Sequence, residues 1–146
     1  MAVLIFNKTR RRIYFKNLIE KTIKAVLGHF GSDKAIISVI LVGDKEMLKL
    51  NRFWRKKNKP TSVLSFPDYF SGVKSFAGRE AGVKYLGEII LNVDYAGKKA
   101  GGNKELFLME VRKLLIHSTL HLLGYNHRRG EKIEQGLIKE IVNSKQ

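Results

Sequence analysis

Apolar residues fall along this chain as short runs and helical stripes, divided by polar breaks. Val3-Leu4-Ile5-Phe6 predicts a short strand. Between Phe15 and Leu27, the residues Leu18, Ile19, Ile23, Val26 and Leu27 recur at helical spacing, so a helix with one apolar face is predicted, stopped at Gly28. Ala35 to Val42 is rich in Ile and Val, as in a strand covered on both faces. Gly43-Asp44 then offers a turn and an N-cap for a helix through Met47, Leu48 and Trp54. Ser62 to Phe66 alternates and predicts a third strand, stopped by Pro67. The glycine-rich stretch from Asp68 to Lys84 predicts a long loop. Leu86 to Leu91 predicts a fourth strand, and Asp94 to Lys99 a short helix. Asn103 can cap a long helix to Leu123 that is apolar nearly all round, the mark of a helix buried at the centre. Glu131 to Val142 predicts a last helix, with Ile133, Leu137, Ile138 and Ile141 on one face.

Strands and helices interleave without repeats or a linker, which predicts an α+β fold in one domain spanning residues 1–146. Its core would be a small, mostly parallel mixed sheet of about four strands packed against helices. The 146 residues suffice to bury a core without a metal or disulfide. Cysteine is absent, which excludes disulfides, thiolate nucleophiles and Cys-ligated zinc, and suits a reducing cytosol.

Charge changes the picture more. Lys and Arg number 28 against 13 Asp and Glu, a net charge of +15. A surface so basic attracts polyanions: RNA, DNA or an anionic membrane. The longest apolar run, Ala35 to Val42, is interrupted by Ser38 and is far short of the ~20 residues of a membrane span. The opening MAVLIFNKTRRR puts its apolar part before its basic part, the reverse of a secretory signal. Nucleic acid is therefore the favoured partner, with no membrane involved.

Three of the four histidines lie in HSTLHLLGYNH. His117 and His121 stand four apart on the long helix, so both imidazoles leave one face and can reach one ion. Gly124 can end the helix in a left-handed conformation, so His127 can return as a third ligand. Three nitrogens and an open position are the layout of a catalytic zinc site. His29, beside the Gly28 stop, reads as a cap or surface residue. The spacing H-x-x-x-H-x-x-G-x-x-H is also that of the metzincin proteases, which carry Glu after the first His as general base. Here that position is Ser118, too weak a base, and no methionine follows the third His.

HSTLHLLGYNH resembles the signature of the YbeY family of bacterial single-strand-specific metallo-endoribonucleases. Leu50-Asn51 and Arg55 through Thr61-Ser62-Val63-Leu64-Ser65-Phe66-Pro67 match independently, and Leu86-Gly87-Glu88-Ile89 follows in place. The resemblance implies a zincin-like fold, with the sheet around a buried central helix bearing the histidines. It implies a cytoplasmic endoribonuclease that acts on ribosomal RNA and the ribosomal subunit, in 16S rRNA 3′ end maturation and ribosome quality control. It also implies one divalent ion, zinc by preference, on the three histidines, and an essential arginine at Arg55. The family usually has Asp where this chain has Ser62, Glu88 and Asn126, and Gly where it has Ser118. Carboxylates beside metal-bound imidazoles orient the rings, so Ser62, Glu88, Asn126 and also Glu110 are candidate supports of the ligands.

In the implied reaction the ion polarises a phosphate or activates water, and Arg55 grips the phosphate through two hydrogen bonds. Arg52, Lys56, Lys57, Lys59, Arg128, Arg129 and Lys132 flank the motifs and would line a groove for the RNA backbone. Trp54, Tyr69, Phe70 and Phe76 could stack on unpaired bases. Two other classes stay open: a non-catalytic metal-containing RNA-binding or ribosome assembly factor, and a zinc metalloprotease, which Ser118 disfavours.

Overall fold

Continuous Ile and Val runs become the middle of the sheet because a strand buried on both faces needs no polar alternation. The computed structural model describes residues 3–68, 84–125 and 127–142, without the side chains of 127–129. Within them the order is β1 (Val3–Asn7), α1 (Lys16–His29), β2 (Ala35–Val42), α2 (Asp44–Arg55), β3 (Val63–Pro67), β4 (Lys84–Asn92), α3 (Val93–Ala100), α4 (Lys104–Leu122) and α5 (His127–Val142). The sheet order is β1-β2-β4-β3. β1, β2 and β4 run parallel, and β3 pairs antiparallel to β4 along the edge. This is the mixed, mostly parallel sheet the sequence predicts. Of the loop predicted from Asp68 to Lys84, residues 69–83 lie outside the described residues, and Lys84 already belongs to β4.

Register depends on Gly87. At Leu86 the β2–β4 pairing slips, since Ile36 opposes Tyr85 and Ile37 opposes Gly87. Gly87 has φ +137°, and a Cβ there would lie 2.2 Å from the carbonyl oxygen of Phe66. Glycine alone lets β3 approach so closely. Pro67 sits at the end of this edge strand, where a missing N–H is tolerated.

One sheet face packs Ile37, Val39, Leu41, Ile89 and Leu91 against Ile19 and Ile23 of α1 and Val111 and Leu115 of α4. α4 also touches α3, α5 and β3. A second apolar side of α4, Ile116 and Leu120, meets Leu137 and Val142 of α5. Each such fully buried side chain stabilises the fold by ~1.5–3 kcal/mol. The expected all-round burial of α4 is not met: Leu115, Ile116, Ser118, Thr119, Leu120 and Leu122 are buried, but His117 is half-buried and His121 exposed, and near the N-terminus Leu106 is 49% exposed. The opposite sheet face carries a smaller cluster, Val42, Met47, Leu64 and Ile90, under α2.

Helix ends differ from expectation in three places. α1 continues through Gly28 and stops at Gly31, whose φ of +66° lets Ser32 N–H bond back to the Leu27 carbonyl at 2.8 Å. Asp44 is the first residue of α2 rather than its cap, and its N–H donates to Asp94 Oδ2 at 2.8 Å. α5 starts at His127, four residues before the predicted Glu131. Asn103 caps α4 as expected, accepting from Leu106 N–H at 2.9 Å.

Candidate metal centre and RNA-binding surface

His117 and His121 leave α4 on the same side, with ring centroids 6.4 Å apart and planes inclined by 41°. The spacing of four residues places them one turn apart, and the neighbouring apolar positions fix which way that side faces. Gly124 follows with φ +97°, its N–H bonded to the His121 carbonyl at 3.0 Å. Tyr125 N–H returns to the Leu120 carbonyl at 3.0 Å, so α4 ends in the tight reversal the glycine predicts. The chain is helical again from His127. Its side chain and Asn126 lie outside the described residues, as do the side chains of Arg128 and Arg129. Among the described residues no three His, Asp or Glu side chains converge as a ligand group.

His117 Nδ1 meets Glu134 Oε1 of α5 at 3.0 Å. The imidazole is 39% exposed and the carboxylate 27%, so the contact is partly shielded from water. A ring held at Nδ1 turns Nε2 to the side away from the carboxylate. This donor set suits a zinc-like ion: two imidazoles on one helix face, one of them braced by a carboxylate. Sequence reading passed over Glu134. Its signal was its place on the last helix, next to Ile133 in the apolar stripe that packs on α4.

His121 lines a cleft of about 380 Å³ with Pro67, Asp68, Lys84, Tyr85, Leu86, Gly124 and Tyr125. Tyr85 donates its hydroxyl to Ser38 Oγ at 2.9 Å. Burial is the main cause that raises the Tyr85 pKa, with Glu88 and Asp68 adding to it, so this phenol stays neutral beside the cleft. Asp68, Lys84 and Tyr85 were not among the expected site residues.

The proposed ligand supports separate. Glu110 pairs with Lys99 of α3 at 3.5 Å. Glu88 lines a cavity of about 360 Å³ with Lys8, Ile40, Glu46, Trp54, Phe66 and Ile90, on the α2 side of the sheet and away from α4. The Ser62 carbonyl bonds Asn92 N–H at 2.9 Å, at the far end of β4 from the Lys84–Leu86 wall of the histidine cleft. Those two ends of β4 are roughly 20 Å apart along the strand. Ser118 is fully buried, and its Oγ has no partner among the described residues.

Arg55 ends α2, exposed, and the basic segment 52–60 is exposed throughout. Two side chains fix that segment. Buried Asn51 donates Nδ2–H to the Lys59 carbonyl at 2.7 Å, and Arg52 Nε donates to Asn58 Oδ1 at 2.9 Å. Arg52, expected among the RNA-binding cations, thus also braces its own loop. Trp54 is 58% exposed and its ring lies 5.5 Å from that of Phe66. Tyr69, Phe70 and Phe76 lie outside the described residues. Since Pro67 and Asp68 line the histidine cleft, α2 and α4 approach the same end of β3 from opposite faces of the sheet.

Residues 5–144 match the family Endoribonuclease YbeY. The chain belongs to that family. Proteins named Endoribonuclease YbeY are similar over most of their length: that of Aquifex aeolicus is 35% identical over 137 residues, 93% of this chain and 85% of its own. That of Persephonella marina is 36% identical over 137 residues, covering 91% and 83%. The solution structure of TM1509 from Thermotoga maritima shares the fold, with a TM-score of 0.63 at 21% identity, over 98% of this chain and 91% of that one. Among the described residues no helix is long and apolar enough to cross a membrane.

Proposed function

We propose that this chain is a metal-dependent endoribonuclease that cleaves single-stranded RNA in the cytoplasm. It would act on ribosomal RNA and the ribosomal subunit, in 16S rRNA 3′ end maturation and ribosome quality control. The observation that carries the reading is the family match across residues 5–144. As a member of that family the chain is an endoribonuclease, a hydrolase of RNA phosphodiester bonds. We read residues 1–146 as one such domain.

His117, His121 and His127 would hold one divalent ion, with zinc the natural match for three imidazoles. Bound there, it supplies a Lewis acid for phosphate oxygen or a water acidified towards a pKa of ~7. The protein's own groups do the rest. Arg55 grips the reacting phosphate with two parallel N–H donors and stabilises charge that develops during displacement. Arg52, Lys56, Lys57, Lys59, Arg128 and Arg129 bind the RNA backbone as counter-charges. Trp54, exposed beside them, offers a face for an unpaired base. Ser118 is sealed in the core, which supports the nuclease reading over a metalloprotease, since no substrate proton can reach its hydroxyl.

The test is cleavage of a labelled single-stranded RNA and its duplex by protein of measured metal content, with and without chelator. Cleavage of the single strand, lost with chelator and regained with zinc, is the expected result. A protein that binds RNA and retains metal but never cleaves would move the reading to an assembly factor.

A further inference from the structure

We propose that Glu134 is the positioning residue of the metal centre: its carboxylate holds His117 by Nδ1 and so presents Nε2 to the ion. The inference rests on the three-histidine reading above and adds a residue to it. Three observations carry it. The contact is 3.0 Å and partly shielded, a distance at which a ring N–H donates to a carboxylate. The register of α5 is set by packing, because Leu137 and Val142 bury against Ile116 and Leu120, with Ile133, Ile138 and Ile141 beside them. Glu134 is therefore delivered to His117 by two rigid helices and not by a loop. The other carboxylates considered for this duty are engaged elsewhere: Glu110 with Lys99, and Glu88 in the cavity under α2. A carboxylate on the distal nitrogen fixes the tautomer and orientation of a ligating imidazole and raises its basicity.

The experiment uses the full chain with Glu134→Ala, Glu134→Gln and, as control, Glu131→Ala, whose side chain is exposed on the same helix. Long-range proton–nitrogen NMR of the metal-free protein reads the His117 tautomer, and chelator competition reads zinc affinity. In the unmodified protein His117 should hold its proton on Nδ1. Glu134→Ala should mix the tautomers and weaken zinc binding by about 10- to 100-fold, the usual cost of removing such a partner. Glu134→Gln keeps an acceptor oxygen in place and should restore most of both signals. Glu131→Ala should match the unmodified protein. Circular dichroism separates these effects from unfolding, and Glu134→Gln, close in shape, remains informative if Glu134→Ala does not fold. Zinc affinity and tautomer unchanged in Glu134→Ala, or no rescue by Glu134→Gln, would overturn the proposal. An unmodified protein that binds no zinc would overturn the three-histidine reading and the proposal with it, a result distinct from binding that is insensitive to Glu134.

Discussion

The two faces of the sheet do different work. On one, α1 and α4 cover a large core, and His117 and His121 ride on α4, which also packs against α3, α5 and β3. On the other, α2 covers a small cluster and leaves Phe53 69% and Trp54 58% exposed beside the basic segment. The first face provides rigidity, which a metal centre needs because ligand geometry tolerates little error. The second provides an open, cationic, aromatic surface, which suits a flexible polyanion. They meet at the end of β3, where Phe66 faces Trp54 while Pro67 and Asp68 line the histidine cleft.

The sharpest way to separate the faces is to remove the proposed ligands alone. His117→Ala with His121→Ala should abolish zinc binding and cleavage while leaving RNA affinity nearly intact, since Arg52, Lys56, Lys57 and Lys59 belong to the α2 segment and not to α4. Metal analysis and filter binding on the same preparation check this. Metal content unchanged in the double variant would break the division of labour.

Next comes Arg55. Lysine keeps its charge but not the planar fork, so Arg55→Lys should lower single-turnover cleavage by about 10²–10³ with RNA saturating, and alter affinity little. Arg52→Lys should change cleavage little and loosen the loop it ties to Asn58. Equal effects of the two substitutions would return Arg55 to the general basic surface.

Stability should be as unequal as the two cores. Ile89, fully buried in the larger core, should cost about 3–4 kcal/mol when replaced by Ala, and Ile90, in the smaller one, about 2 kcal/mol. Urea unfolding of both variants measures the difference, and equal losses would mean that the second face is as tightly packed as the first.

The smallest effect concerns the N-terminus of α2. The Asp44 carboxylate accepts from Lys98 and from Asn92, and these bonds hold its pKa below the ordinary 3.8. A carboxyl lowered in the folded state adds stability above its unfolded pKa and loses it as pH falls through the folded one. Asp44→Asn should therefore lower the melting temperature at about pH 6, and the gap to the unmodified protein should close as pH falls below ~4. A gap that persists at the lowest pH would assign the loss to packing.

Much was legible in the chain because it is local. Runs of Ile and Val, helical stripes and the Asn103 cap placed the strands and helices within a few residues, and four-residue spacing put His117 and His121 on one side of α4. Gly28 misled because glycine permits a left-handed stop without requiring one, and the chain used Gly31 instead. The same locality explains why Glu110 looked like a support for His117: two turns of helix align them, but Lys99, from another helix, claims the carboxylate. Sequence by itself therefore determined the elements, the basic charge and the histidine pair, all set by neighbours a turn or a strand apart. Only the tertiary structure decided which carboxylate meets a histidine and which sheet face carries Glu88. Those contacts join residues from separate elements, and their positions follow from how the helices pack on the sheet.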